Sequence, residues 1–189
     1  MIRDIGTTMI TRIACATVLA VAVGLAAVQG VHAQAKKKGA APAATGPKKV
    51  ATHGKWDVYV QPGKTKLCYA LGEAQKRAPA NLKDTKAYIF VSSRPAQNVR
   101  NEIAIKLGVD LKPDAKPIVT IGASKFSMVA NGTDLFVENA AEERPFVAAM
   151  RKGSELVVKA TSKRGNEVTD TYSLSGIGQA LDALQKECQ

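Results

Sequence analysis

A chain of 189 residues, 46% of them apolar, can bury one proper core and does not read as intrinsically disordered. Its 27 Lys and Arg against 16 Asp and Glu leave a net charge of +11, which favours anionic partners over cationic ones. Three cysteines and two histidines exclude a dense disulfide framework and a zinc site built on several histidines.

Residues 1–33 read as a secretory signal peptide. Arg3 and Arg12 lie in a polar start, and 13–28 is an apolar run too short and too Ala-rich for a membrane span. Val31-His32-Ala33 suits signal peptidase, so cleavage is expected after Ala33. An uncleaved anchor is the alternative. Cys15 has no lipobox before it and does not mark a lipoprotein. Residues 34–52 hold Lys36-Lys37-Lys38, then Ala, Gly and Pro, then Lys48-Lys49. Such a stretch cannot bury a core and is expected to be a disordered linker. Its lysines make it a solvated tether or an attractor of anionic surfaces. The folded domain is expected over 53–189.

Only Cys68 and Cys188 remain after the signal is removed. An even count in an exported chain reads as one disulfide. It would close a loop of about 120 residues, worth roughly 4–5 kcal/mol in the chain-entropy model. The rival reading, a cysteine nucleophile, needs a base nearby, and His53 is the one histidine left.

Within the domain, Trp56, Val58 and Val60 alternate with Asp57 and Tyr59, a first strand. Pro62-Gly63 marks a turn, and 65–71 alternates as the second strand of a hairpin. Residues 72–86, polar, basic and broken by Pro79, read as a loop. Residues 87–92 are apolar on both faces, the pattern of a central strand covered on both sides. Residues 93–101 read as a loop, and 102–107 alternates again through Ile103, Ile105 and Leu107. A hairpin over 118–121 and 125–130 leads to Asn131-Gly132, a strong hairpin turn, and a short strand at 135–137. Asn139 with Glu142 has the look of a helix cap. Pro145 predicts the first residue of a helix that Gly153 ends. A last hairpin, 155–161 and 168–174, turns at Gly165, with Asp170 the misfit on its apolar face. Ser175-Gly176 open a closing helix in which Ile177, Leu181, Leu184 and Cys188 recur at helical spacing.

Eight or nine short strands and two short helices, without strand–helix–strand alternation, predict a mainly β fold. The expected form is an antiparallel two-sheet β-sandwich, immunoglobulin-like, with a partly open β-barrel as the alternative.

Templates for chemistry go largely unmatched. Leu174-Ser175-Gly176-Ile177-Gly178 has the wrong spacing for a nucleophile elbow. No phosphate-cradling glycine loop, Cys-x-x-Cys motif or calcium-loop spacing occurs in the sequence. No cofactor or metal is expected, and no spacing selects a carboxylate pair for glycoside hydrolysis. The candidate binding loop is 93–102, where Arg94 and Arg100, with Asn98 and Asn101, could grip carboxylates or phosphates. The alternative is that Arg100, Asn98 and Asn101 cap loop carbonyls or pair with Glu102. Lys163 and Arg164 at the last hairpin tip are a candidate basic edge or only a solvated turn. Nucleic acid is not an expected partner, because nine aromatics are not interleaved with any basic stripe.

Trp56-Asp57-Val58-Tyr59, Cys68-Tyr69-Ala70-Leu71, Phe90-Val91-Ser92-Ser93-Arg94-Pro95 and Asn98-Val99-Arg100-Asn101-Glu102 resemble the invasion-associated locus B family. So do Ala148-Ala149-Met150-Arg151-Lys152-Gly153 and Thr171-Tyr172-Ser173-Leu174-Ser175-Gly176, with Ala180-Leu181 following. The resemblance runs from 54 to 188. It implies an exported alphaproteobacterial protein, a compact β-sandwich and no known catalytic activity. It supplies no catalytic residues, does not imply a part in host-cell invasion, and leaves the lysine-rich linker unexplained.

The expectation is therefore a non-enzymatic protein of the periplasm, outer membrane surface or medium. It would bind an anionic envelope or host-surface component, with peripheral membrane association, through a basic surface. A structural or chaperone-like periplasmic role is the alternative, and a carboxylate-based hydrolase the remote one. Neither ligand nor oligomeric state is legible in the sequence.

Overall fold

The computed structural model describes residues 46–189, so the expected signal peptide, its cleavage after Ala33 and the linker as far as residue 45 lie outside the described residues. Eleven strands and two helices follow in order: β1 (Lys48–His53), β2 (Trp56–Gln61), β3 (Leu67–Glu73), β4 (Lys76–Ala78), β5 (Tyr88–Arg94), β6 (Val99–Lys106), β7 (Ile118–Ile121), β8 (Ser124–Asn131), β9 (Asp134–Val137), α1 (Glu143–Lys152), β10 (Glu155–Thr161), β11 (Glu167–Ser173) and α2 (Ile177–Glu187).

All pairings are antiparallel, and the mainly β fold with two short helices is the one expected. The hydrogen-bonded order is continuous: β1-β2-β3-β5-β6-β9-β8-β7-β10-β11-β4. The two faces of the expected sandwich thus belong to one sheet. Two features carry the chain between its halves. β8 pairs β9 on one side and β7 on the other. β4 follows β3 after Ala74 and Gln75 alone, yet pairs β11 at the far end of the order.

Period-2 alternation puts one side of each central strand into a single core. Trp56, Val58, Ile89, Val91, Ile103 and Ile105 come from the first half of the sheet, and Val119, Leu156, Val158 and Tyr172 from the second. The helices add Phe146, Val147 and Met150 from α1, and Ile177, Ala180, Leu181 and Leu184 from α2. The Trp56 indole N–H donates to the Ser173 carbonyl at 3.0 Å, linking β2 to β11.

Five local expectations need correction. Residues 48–52, read as the end of the linker, belong to β1, whose backbone is held by β2. The stretch 72–86, read as loop, contains β4. β5 is not covered on both faces: Ile89, Val91 and Ser93 are buried, while Tyr88, Phe90 and Ser92 remain partly open. The candidate loop 93–101 ends in β6, which starts at Val99. Pro145 is the third residue of α1, because Asn139 caps a short 3-10 turn over Ala140–Glu142 and the helix continues from it. Asn139 does cap, its Oδ1 accepting from the Ala141 N–H at 3.0 Å. Gly153 closes α1 with extended backbone, not a left-handed one.

The buried misfit Asp170 has a partner. Arg77 of β4 donates through Nε to Asp170 Oδ1 at 2.8 Å and through Nη2 to Oδ2 at 3.0 Å. The same guanidinium reaches the Leu107 carbonyl at 2.7 Å and the Thr85 hydroxyl. One arginine thereby holds β4, the 79–87 connection and the end of β6 to β11. Burial pushes the Asp170 carboxyl above its ordinary range, and Arg77 pulls it back.

Candidate binding surface

The disulfide expected between Cys68 and Cys188 is present, with the Cα atoms 6.0 Å apart across 120 residues. Both cysteines are buried, and the bond fixes the end of α2 to β3. Lys66 reinforces this clasp by donating to the Glu187 carbonyl.

The candidate loop is brought together, and Arg94 within it is occupied. Arg94 binds Gln97 Oε1 at 2.8 Å and Glu102 Oε2 at 2.7 Å. Arg100 reaches the Cys188 carbonyl at 3.4 Å. Asn98 and Asn101 take left-handed backbone (φ 55° and 58°), and the Asn101 N–H faces Ser93 Oγ. Asparagine tolerates that conformation better than most residues, so both asparagines serve the turn. Glu102 is thus paired by Arg94, while Arg100 meets a carbonyl outside the loop. Glu143 at the start of α1 stands near Glu102. Its carboxyl is raised, first by burial and then by the Glu102 charge, while the Ile103 N–H and Arg94 oppose the shift.

Lys163 and Arg164 stand exposed at the β10–β11 tip, and among the described residues neither forms an ion pair. They line a groove of about 300 Å³ with Pro79, Leu82, Asp110 and Asn166.

A larger basic surface lies beyond that tip, on the outer face of the sheet's second half. Cross-strand register sets Lys125, Thr120, Val157, Thr171 and Lys76 in one row. Ser127, Ile118, Lys159, Thr169 and Ala78 form the next. Lys116, Lys125 and Lys159 converge on a groove of about 440 Å³ whose one carboxylate is Glu167. Glu167 lies 3.6 Å from Lys159, and both side chains are well exposed, so the pair screens little of the charge. Sequence reading missed this cluster. The three lysines are 9 and 34 positions apart along the chain, and only strand pairing makes them neighbours. For Lys125 and Lys159 the signal that could have found them was the polar phase of their alternating strands; Lys116 precedes β7.

Fold and surface together define a class: an antiparallel β domain, clasped by one disulfide, with a lysine-bearing sheet face. Residues 136–185, from β9 through α1, β10 and β11 into α2, match the family model described as Invasion associated locus B (IalB) protein, so this segment is similar to that family. The matched segment includes Lys159, Lys163, Arg164 and Asp170 but neither cysteine of the disulfide. No curated protein and no solved structure matches the chain.

Proposed function

We propose that this is an exported, non-enzymatic envelope protein that binds an anionic envelope or host-surface component through the lysine face of its sheet. The observation that carries the reading is the convergence of Lys116, Lys125 and Lys159 on one groove with a single carboxylate. Three ammonium groups on a rigid sheet attract phosphate or carboxylate groups cooperatively and release counterions on binding. Lys163 and Arg164 extend the same positive field toward the hairpin tip. Export is supported by the apolar N-terminal run and by a disulfide, a bond that persists in oxidising compartments. Among the described residues no helix is long and apolar enough to cross a membrane, and association is proposed to be peripheral. The non-enzymatic reading is supported by the cysteines: both are spent in the disulfide, which leaves no thiolate for His53 on β1 to activate.

The test is co-sedimentation with vesicles carrying anionic phospholipid or lipopolysaccharide, at rising salt. Binding is expected to weaken steadily as salt rises. A Lys116→Ser/Lys125→Ser/Lys159→Ser variant is expected to lose about 1 kcal/mol per lysine, on the order of a hundredfold in total. Association indifferent to salt and to these substitutions would sink the proposal.

A further inference from the structure

The outer face of the sheet's first half has a different chemistry. Asp57, Leu71, Phe90, Ala104, Phe136 and Val129 pair in one row across six strands. Five of the six are apolar and none is fully buried. The rows beside it bring Tyr59 next to Tyr69, and Tyr88 between Glu73 and Lys106. The rings form a file: Tyr59 stacks on Tyr69 at 5.0 Å, Tyr69 meets Phe90 at 5.8 Å, and Phe90 meets Tyr88 at 6.4 Å. Three of the chain's four tyrosines thus stand on the outside of the sheet instead of in its core. No element of the described chain covers this file, since α1 and α2 pack their apolar residues into the common core on the other side.

The charges around it are self-compensating. Lys49 faces Asp57 at 3.2 Å, Lys86 faces Glu73 at 3.2 Å, Lys106 faces Asp134 at 3.4 Å and Arg94 faces Glu102 at 2.7 Å. In a chain of net charge +11, this is a patch where another positively charged molecule can approach without bringing unpaired cations together. A neutral, tyrosine-rich centre with a rim of paired ions is the composition of a protein interface. Six strands span about 24 Å, the scale of a standard-size interface.

We propose that the chain self-associates through this face, two copies packing their first half-sheets against each other about a twofold axis. Edge-to-edge pairing is disfavoured by Lys48 on β1 and Lys76 on β4, exposed charges of the kind that guard sheet edges. Face packing buries Tyr69 and Phe90 at the centre, where aromatic anchors dominate binding energy. The remaining face of each copy, with its lysine groove, stays open, so the dimer presents two basic surfaces.

Sedimentation velocity of the folded, disulfide-intact protein over a wide concentration range, at low and high salt, tests this. The expected result is a reversible monomer–dimer equilibrium that tightens with salt, because screening removes repulsion between like-charged copies. That is the opposite of the salt response expected for binding to anionic vesicles, so the two proposals fail separately. Tyr69→Lys and Phe90→Lys are expected to weaken the dimer at least about tenfold. Ile118→Lys, on the basic half, should leave it unchanged. If a variant fails to show a native melting transition, Tyr59→Lys on neighbouring β2 replaces it. A monomer at every concentration and both salts, or a dimer that salt dissolves or that Tyr69→Lys and Phe90→Lys leave intact, overturns the proposal.

Discussion

At the scale of single residues, the positions that looked out of place are the informative ones. Asp170 broke an otherwise apolar strand face, and its explanation is Arg77, 93 positions away. Both side chains are almost wholly buried, so the pair has lost its hydration and is held by directed hydrogen bonds. Removing one partner strands the other: Arg77→Ala or Asp170→Ala is expected to cost about 3–5 kcal/mol in urea unfolding. Replacing both, as Arg77→Met with Asp170→Leu, should cost clearly less than either single change. Additive losses would show that the pair is not coupled. Glu143 makes a pH prediction. Its folded pKa is raised, so its contribution to stability is present below the unfolded value of 4.5 and is lost as pH rises through the raised value. Glu143→Gln should therefore raise the melting temperature relative to the parent at pH 7, and the difference should shrink toward pH 4. A difference that grows on acidification would contradict this assignment.

At the scale of elements, two glycines join the first hairpin to the last helix. Gly54 turns β1 into β2 at φ 56°, and Gly176 leads into α2 at φ 91°. They approach so closely that a Cβ on Gly176 would lie 2.1 Å from the His53 carbonyl oxygen, and one on Gly54 would lie 2.4 Å from that of Ser175. The Lys55 N–H donates to the Ser175 carbonyl at 3.0 Å across the same contact. Gly176→Ala is expected to destabilise by about 1–3 kcal/mol from backbone conformation alone, with the clash added to it. Gly132→Ala, also at positive φ but with open space around its Cβ, is the comparison. Equal losses at the two sites in thermal melts would show that the close approach has no energetic weight. Together with the disulfide at the other end of α2, this contact clamps the closing helix at both ends.

At the scale of the whole molecule, the sheet divides its surface by chemistry. One half presents paired ions around aromatic rings, and the other presents lysines with little compensation. The net charge of +11 is therefore not spread evenly, and its effect on partners is directional. Anion binding should map to Lys116, Lys125 and Lys159. Changing the paired Lys49 and Lys106 to Ser is expected to leave vesicle binding within about threefold, since such exposed pairs are worth about 0–1 kcal/mol. A hundredfold loss from those two changes would place the binding surface on the wrong half.

The nine strands legible in the sequence are those with one face in the core, because burial writes period-2 alternation into them. The two missed, β1 and β4, are the ends of the sheet order. An edge strand exposed along most of its length needs no apolar phase, so Lys48–His53 and Lys76–Ala78 look like linker and loop. The sequence by itself determined the mainly β class, the two helices, the cysteine pair and the family likeness. Each of these rests on local periodicity, on a count, or on the order of short motifs. Only the tertiary structure decided that the strands form one continuous order, that Arg77 answers Asp170, and that Arg94 of the candidate loop pairs with Glu102. It alone gathered three distant lysines on one face and four aromatic rings on the other. Those features depend on which strands are neighbours, and strand pairing is set by long-range packing that no local pattern encodes.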